Sequence, residues 1–423
     1  MLSCKGSDNN PIGSEARINK DRLWNNLMTV GEIGKHPDGG ITRLAFTKED
    51  RQAISVVGAL MKEAGLAVRE DEVGNLIGRR EGENPNAPAV LIGSHLDSVF
   101  NGGVFDGSLG VLAGIEVLQT MQENGISTKH PIEVCVFRDE EGCRFNFSLL
   151  GSRGMAGTLQ LENLGYKDNE GISLAEAMSG CGMDPKEFSK ASRRPEDVMA
   201  YLELHVEQGK VLECADLPIG VVTGIAGSLR MMVTVTGKAD HAGATPMNLR
   251  FDALTAAAQM IGIVETEARA TQSAVGTVGQ IHTYPGGINI IPERVEFTVD
   301  LRDVSAEVGL QLENRILSQA KDICLQRGLT LQVEILQRVP PAPCSPELIN
   351  IIAESCRELG ITELQMPSGA GHDAMQIVNL CPIGMIFIRS QNGISHHPAE
   401  WSTPEDCAQG AQVLYQSVLK LAE

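Results

Sequence analysis

Apolar positions along the chain follow two rhythms. In some stretches they recur three and four residues apart; in others they run unbroken for four to six residues, which predicts helices and buried strands in turn. Between 50 and 65, Ile54, Val57, Leu60 and Met61 recur at helical spacing and Gly65 ends the helix. The run from Ala89 to Ile92 reads as a buried strand that ends in Gly93-Ser94-His95. From Leu109 to Met121, Leu112, Ile115, Leu118 and Met121 mark a helix that begins just after Asp106-Gly107. Ile132 to Phe137 is the next strand, and it too ends in polar residues, Arg138-Asp139-Glu140-Glu141. Strand, helix and strand in this order form a βαβ unit, so the expected fold class is α/β, with a mainly parallel sheet and helices on both faces.

Around residue 220 the texture changes. Met231 to Thr236, Val295 to Leu301 and Thr330 to Leu336 read as strands, and Ala253 to Ala268 and Gly309 to Gln326 as helices. These elements predict an inserted α+β, ferredoxin-like domain over 220–336. The Pro-rich run Val339-Pro340-Pro341-Ala342-Pro343 marks a hinge, after which a helix over 346–359 and a strand over 382–388 resume the first pattern. The first domain is therefore discontinuous, covering 17–219 and 337–423. The connections near 215–222 and 334–344 are the places where the two domains would bend toward each other.

Composition narrows the function. The chain has 423 residues, 42% hydrophobic and 21% charged, enough for two packed cores. Its 35 Lys+Arg against 54 Asp+Glu give a formal charge of −19, which repels nucleic-acid phosphates and anionic lipid. An anionic substrate must then be captured by local cations. No apolar signal core or run of 18 apolar residues occurs, and Cys4 lacks the apolar stretch that precedes a lipid-anchored cysteine. The ten cysteines show no CxxC pairing, which points to reduced thiols and a cytoplasmic location.

The polar residues at strand ends carry the chemistry. His95 and Asp97 alternate at one strand end, with Asp97 a candidate to orient the imidazole. Asp106 sits in a Gly-rich turn before a helix, where an acid also serves as an N-cap. Glu140 and Glu141 are adjacent carboxylates, one able to ligate a cation while the other stays free as a base; such neighbours raise each other's pKa unless a cation lies between them. His205 follows an apolar run, and His396 follows the last strand by a loop. Taken singly, these are ordinary loop histidines and solvated acids. Together, three imidazoles and two carboxylates exceed what one catalytic metal with an open position takes, and suit two metals sharing a carboxylate. Nitrogen and oxygen donors without thiolate admit Zn, Mn, Co or Ni.

The stretches GSHLDSVFNGGVFDG (93–107), FRDEEG (137–142), LHVEQG (204–209), ADHAGATPM (239–247), GGINIIPERVEFTVDLRD (286–303), SGAGHD (368–373) and NGISHHPAE (392–400) occur in order over nearly the whole length. Together they resemble the amidase/hydantoinase/carbamoylase branch of the dimetal aminoacylase and carboxypeptidase family. The resemblance implies that Asp106 bridges two divalent cations, with His95 and His205 on one and Glu141 and His396 on the other, and that Glu140 is the general base. It also implies that Gln208, His241, Asn289 and Arg302 contact substrate, His241 from the inserted domain as oxyanion donor and Arg302 as the fork for a carboxylate. His372 is expected in the site wall and His396, rather than His397, as the ligand; His36, His130 and His282 have no assigned role.

The activity implied is hydrolysis of the carbamoyl group of N-carbamoyl-L-amino acids to amino acid, ammonia and carbon dioxide, in a homodimer built on the inserted domain. Gly371 and Arg230 look more like allantoate amidohydrolases, making allantoate the alternative substrate. The rival from another class is a silent protein that only binds a ureido ligand. Retention of all five ligands and Glu140 argues against it.

Overall fold

The computed structural model describes residues 16–423; Cys4 lies outside them. The chain forms two compact units. One comprises residues up to Thr223 with Cys344–Met366 and His372–Glu423; the other comprises Gly224–Pro343 with Pro367–Gly371.

The first unit is built on a sheet whose strands run Ala67–Glu70, Leu76–Arg80, Ile132–Phe137, Ala89–His95, Val198–Val206, Ile383–Ile388 and Ile219–Ile225. The middle four pair in parallel and the margins antiparallel, so the parallel part is the centre of the sheet. The helix Ser108–Glu123 is the crossover between two of the parallel strands and is apolar on nearly every side, because it is buried almost throughout. With Lys20–Gly31, Lys48–Glu63, Pro346–Glu358 and Pro404–Ala422 it covers Val90, Ile92, Leu202, Leu204 and Ile386. Successive strand side chains point to opposite faces. Leu91 pairs with Tyr201, so His95 and His205, at even offsets from them, share the other face, where the short helices Leu150–Met155 and Ala374–Ile377 pack.

Two of these helices escape the sequence reading: Lys20–Gly31 and Pro404–Ala422. The latter is buried on most sides, and its buried Asp406, Gln412 and Gln416 interrupt the apolar rhythm that would have exposed it.

The second unit is an antiparallel sheet in the order Ile281–Tyr284, Arg294–Asp303, Gly227–Thr236, Thr330–Val339, with Val275–Thr277 also pairing to Arg294–Asp303. The helices Ala253–Thr271 and Ala306–Arg327 bury Met231, Val233, Phe297 and Val299 on one face. This is a βαββαβ ferredoxin-like arrangement. The expected connection at 334–344 contains one division between the units and that at 215–222 ends one residue short of the other, and both carry paired backbone. Residues 219–222 belong to a strand paired with Ile386–Ile388 and Met385, and Ala342–Pro343 pair with Ile225 and Gly224. Backbone committed to ladder hydrogen bonds is not a free linker; the units divide at Thr223/Gly224 and Pro343/Cys344. Among the described residues, no helix is long and apolar enough to cross a membrane.

One buried ion pair fixes the end of the Ile132–Phe137 strand. The Arg138 guanidinium donates to the Gly74 carbonyl from Nε (3.1 Å) and Nη2 (2.9 Å), and from Nη1 to Asp50 Oδ2. Both side chains are buried, and Asp50 also accepts the Phe46 N–H at 2.7 Å. Removing one partner strands a buried charge, so Asp50→Ala is expected to destabilise the protein by about 3–5 kcal/mol. Equilibrium urea unfolding checks this; a midpoint equal to wild type contradicts it.

Candidate metal centre

Glycine decides the shape of the turn at 101–107. A Cβ on Gly107 (φ +65°) would lie 2.4 Å from the His95 ring, and one on Gly103 would lie 2.2 Å from Glu400 Oε1. Only glycine lets this turn wrap so closely around an imidazole and a carboxylate. Three non-glycine residues at the ends of neighbouring segments also take left-handed backbone: Asp139 (φ 54°), Gln208 (φ 59°) and His396 (φ 54°). Each costs about 1–2 kcal/mol. Their concentration here fits a site held in shape by its surroundings.

The two oxygens of Asp106 face different partners. Oδ1 lies 3.5 Å from His95 Nε2 and 3.2 Å from His205 Nε2. Oδ2 lies 3.2 Å from His396 Nε2, which is 3.6 Å from Glu141 Oε1. Two donor triplets able to hold a cation result, His95–Asp106–His205 and Asp106–Glu141–His396, with Asp106 common to both. Donors about 2.0–2.1 Å from a tetrahedral cation lie roughly 3.3 Å apart, the spacing found here.

The protons agree with this fit. His95 Nδ1 donates to the Asp97 carbonyl (3.0 Å) and His205 Nδ1 to the Val206 carbonyl (2.9 Å), so Nε2 is the atom each ring turns toward Asp106 and could offer to a cation. The Gly107 N–H also points at His205 Nε2 from 3.2 Å. Gln208 Nε2 donates to Asp106 Oδ2 (2.9 Å), while its Oε1 is buried with no hydrogen-bond partner. The donor set therefore fits divalent cations bound through nitrogen and oxygen.

Electrostatics show the same demand. Burial opposes ionisation of Asp106, but hydrogen bonding to His205, His396 and His95 outweighs it and holds the carboxyl well below its usual range. Burial pushes Glu140 well above the carboxylate range, with Glu141, Asp373 and Asp97 adding to the rise. Burial and Asp106 push Glu141 up to about 7. Hydrogen bonding to Asp106 raises His396 to about 9. Buried acids that also raise one another, beside a cluster of imidazoles, mark a candidate functional site.

Glu140 is 8% exposed, and its Oε2 lies 3.9 Å from His95 Nε2. Asp97 acts differently from expectation. Its carboxylate is 3.8 Å from His95 Nδ1 and instead accepts the N–H groups of Glu140 (3.1 Å) and Glu141 (3.0 Å); its backbone carbonyl orients the ring. His372 is 2% exposed and packs edge-on against His205 at 4.5 Å, so it lies behind that ligand rather than facing open space. Burial and the neighbouring His205 hold its imidazole well below the usual range. Glu203, unremarked in the sequence, shares a face with His205, accepts from Ser94 Oγ at 2.8 Å, and forms a third triplet with His205 and His372. Only its even offset from His205 could have pointed to it.

In the second unit, His241 and Asn289 are adjacent, through the pairing of Asp240–His241 with Ile290–Ile291 and the Ala242 N–H to Asn289 carbonyl bond (2.9 Å). His241 Nδ1 accepts from Gly243 and Ala244 N–H (3.0 and 3.1 Å), so its proton sits on exposed Nε2, ready to donate. Arg302 lies on the sheet face away from the helices, held by Asp300 (3.1 Å) and the Gly369 carbonyl (2.8 Å). Arg230 also pairs with Asp300, at 3.1 Å.

Comparison with known proteins agrees with this picture. The chain is 58% identical to the N-carbamoyl-L-amino acid amidohydrolase of Geobacillus stearothermophilus, over 96% of this chain and 99% of the relative. Identity to the allantoate amidohydrolase of Bacillus subtilis is 35%, covering 95% and 98%. The crystal structure of an amidase of the hydantoinase/carbamoylase family from Burkholderia multivorans superposes with a TM-score of 0.90 at 36% identity, covering 96% and 98%. The family of metal-dependent hydrolases described as peptidase family M20/M25/M40 matches residues 91–420. With its fold, its donor clusters and that match in agreement, the chain belongs to peptidase family M20/M25/M40.

Proposed function

We propose that the chain hydrolyses the carbamoyl group of N-carbamoyl-L-amino acids, using two divalent cations. The observation that carries the reading is the divided Asp106 carboxylate with Glu140 beside it, in a chain 58% identical to a relative named for this activity. His95 and His205 would hold one cation and Glu141 and His396 the other, with Asp106 available to both, as the two donor triplets allow. Bound there, the cations polarise the carbamoyl oxygen and acidify water.

The protein's own groups do the rest. Glu140 is buried and close to His95 yet belongs to neither Asp106 triplet, so it is free to take a proton from water. The water oxygen bonds to the carbamoyl carbon, and the carbonyl π pair moves onto oxygen. His241 Nε2–H donates to that oxygen. Glu140 returns the proton to the departing amino nitrogen as the C–N bond breaks, releasing the amino acid and carbamate, which decomposes to ammonia and carbon dioxide. Arg302 binds the substrate carboxylate as a planar fork, and Asn289 and Gln208 contact the ureido group.

We propose further that the chain is cytoplasmic, as its nine described cysteines, all free thiols, favour. We also propose a homodimer through the inserted domain over 220–336, whose Thr330–Val339 edge strand is largely exposed.

Glu140→Gln is expected to lower kcat by about 10²–10⁴-fold while metal content per chain stays at the wild-type value. Amino-acid release and elemental analysis on the same sample check this; loss of metal would make Glu140 a ligand instead. A panel of N-carbamoyl-methionine, allantoate and a dipeptide tests the substrate. Methionine release is expected, and turnover of allantoate alone overturns the reading. Dialysis against a chelator should abolish turnover and Zn, Mn, Co or Ni should restore it; full activity with no metal detectable would refute the mechanism.

A further inference from the structure

The two donor triplets stand on loops far apart in sequence. Asp106 is on the turn that follows Ala89–His95, and His396 is on the loop after Ile383–Ile388. Something must set their separation, because the same Asp106 carboxylate has to reach both sets of donors. Glu400 touches both loops. It is 3% exposed, and its Oε1 accepts the backbone N–H groups of Phe105 and Asp106, each at 3.0 Å, across almost three hundred residues of sequence. Its Oε2 accepts the Ser395 hydroxyl at 2.6 Å. Ser395 Oγ also lies 3.3 Å from Asp106 Oδ2 and precedes His396. Gly103 leaves the room that this carboxylate fills.

An apolar contact runs alongside the polar one. Phe105, next to Asp106, and Trp401, next to Glu400, pack edge to face at 5.5 Å, and Trp24 meets both, at 5.8 and 5.4 Å. The rings hold the loops together, but only the directional bonds to Glu400 fix how the Asp106 backbone is turned.

We infer that Glu400 is a positioning residue that clamps the Asp106 turn to the Ser395–His396 loop and so assembles the Asp106–Glu141–His396 cation site. This rests on the two-cation reading above. The His95–Asp106–His205 site depends on it less, since both its imidazoles stand at strand ends in the parallel sheet.

The test is Zn²⁺ binding to the metal-stripped full-length chain, measured by competition with a chromophoric chelator, independently of turnover. Wild type is expected to bind two equivalents. Glu400→Ala should keep one tight equivalent and bind the second about 10–100-fold more weakly. Glu400→Gln, which keeps an acceptor for the two N–H groups and a polar atom for Ser395, should recover most of that loss. Two wild-type-like equivalents in Glu400→Ala, or equal weakening of both, overturn the proposal. Should Glu400→Ala fail to fold, Ser395→Ala, which cuts only the link to the second loop, is expected to weaken the same single equivalent; an unchanged titration then overturns it. Fewer than two equivalents on wild type would sink the two-cation reading itself, a result distinct from failure of the Glu400 clamp.

Discussion

Everything in the site hangs on one buried carboxylate whose two oxygens look in different directions. Asp106 is surrounded by three imidazoles and, through His396, by Glu141; in water these groups would disperse. Holding so many like and unlike charges together in a dry place is unfavourable unless positive charge completes it. That requirement explains the fixed tautomers of His95 and His205, and the acids pushed above their ordinary range.

The fold meets the requirement with rigid parts. Parallel strands deliver His95 and His205 to one face of the sheet at its carboxyl end, where open α/β sheets place their ligands. The buried Arg138–Asp50 pair fixes the chain just before Glu140 and Glu141, and Asp97 then takes both of their N–H groups. Left-handed backbone at Asp139, Gln208 and His396 turns each polar segment out of its strand or loop at the needed angle.

Much of this was legible in the sequence, for a physical reason. Residues 89–92 and 134–137 are unbroken apolar runs within strands buried on both faces, and the polar residues that follow them then stand out. The five residues read as ligands could be named because each sits at such an end or in a Gly-rich loop. What stayed hidden depends on contacts between distant residues. Glu400 was visible as a letter in NGISHHPAE, but its bonds to Phe105 and Asp106 have no local signature. Asp97 has the right spacing to orient His95 with its carboxylate, yet the backbone turns so that the carbonyl does this instead. The Pro-rich run ends where the two units divide, as expected, but its last two residues are also paired strand, since proline at a sheet edge forfeits only a donor.

The central claim is that Asp106 is shared between two cations. Anomalous diffraction from crystals of the chain grown with Mn²⁺ or Zn²⁺ tests it most directly. Two peaks about 3.5–4 Å apart, one beside each Asp106 oxygen, are predicted. A single peak, or two that do not have Asp106 between them, would contradict the account.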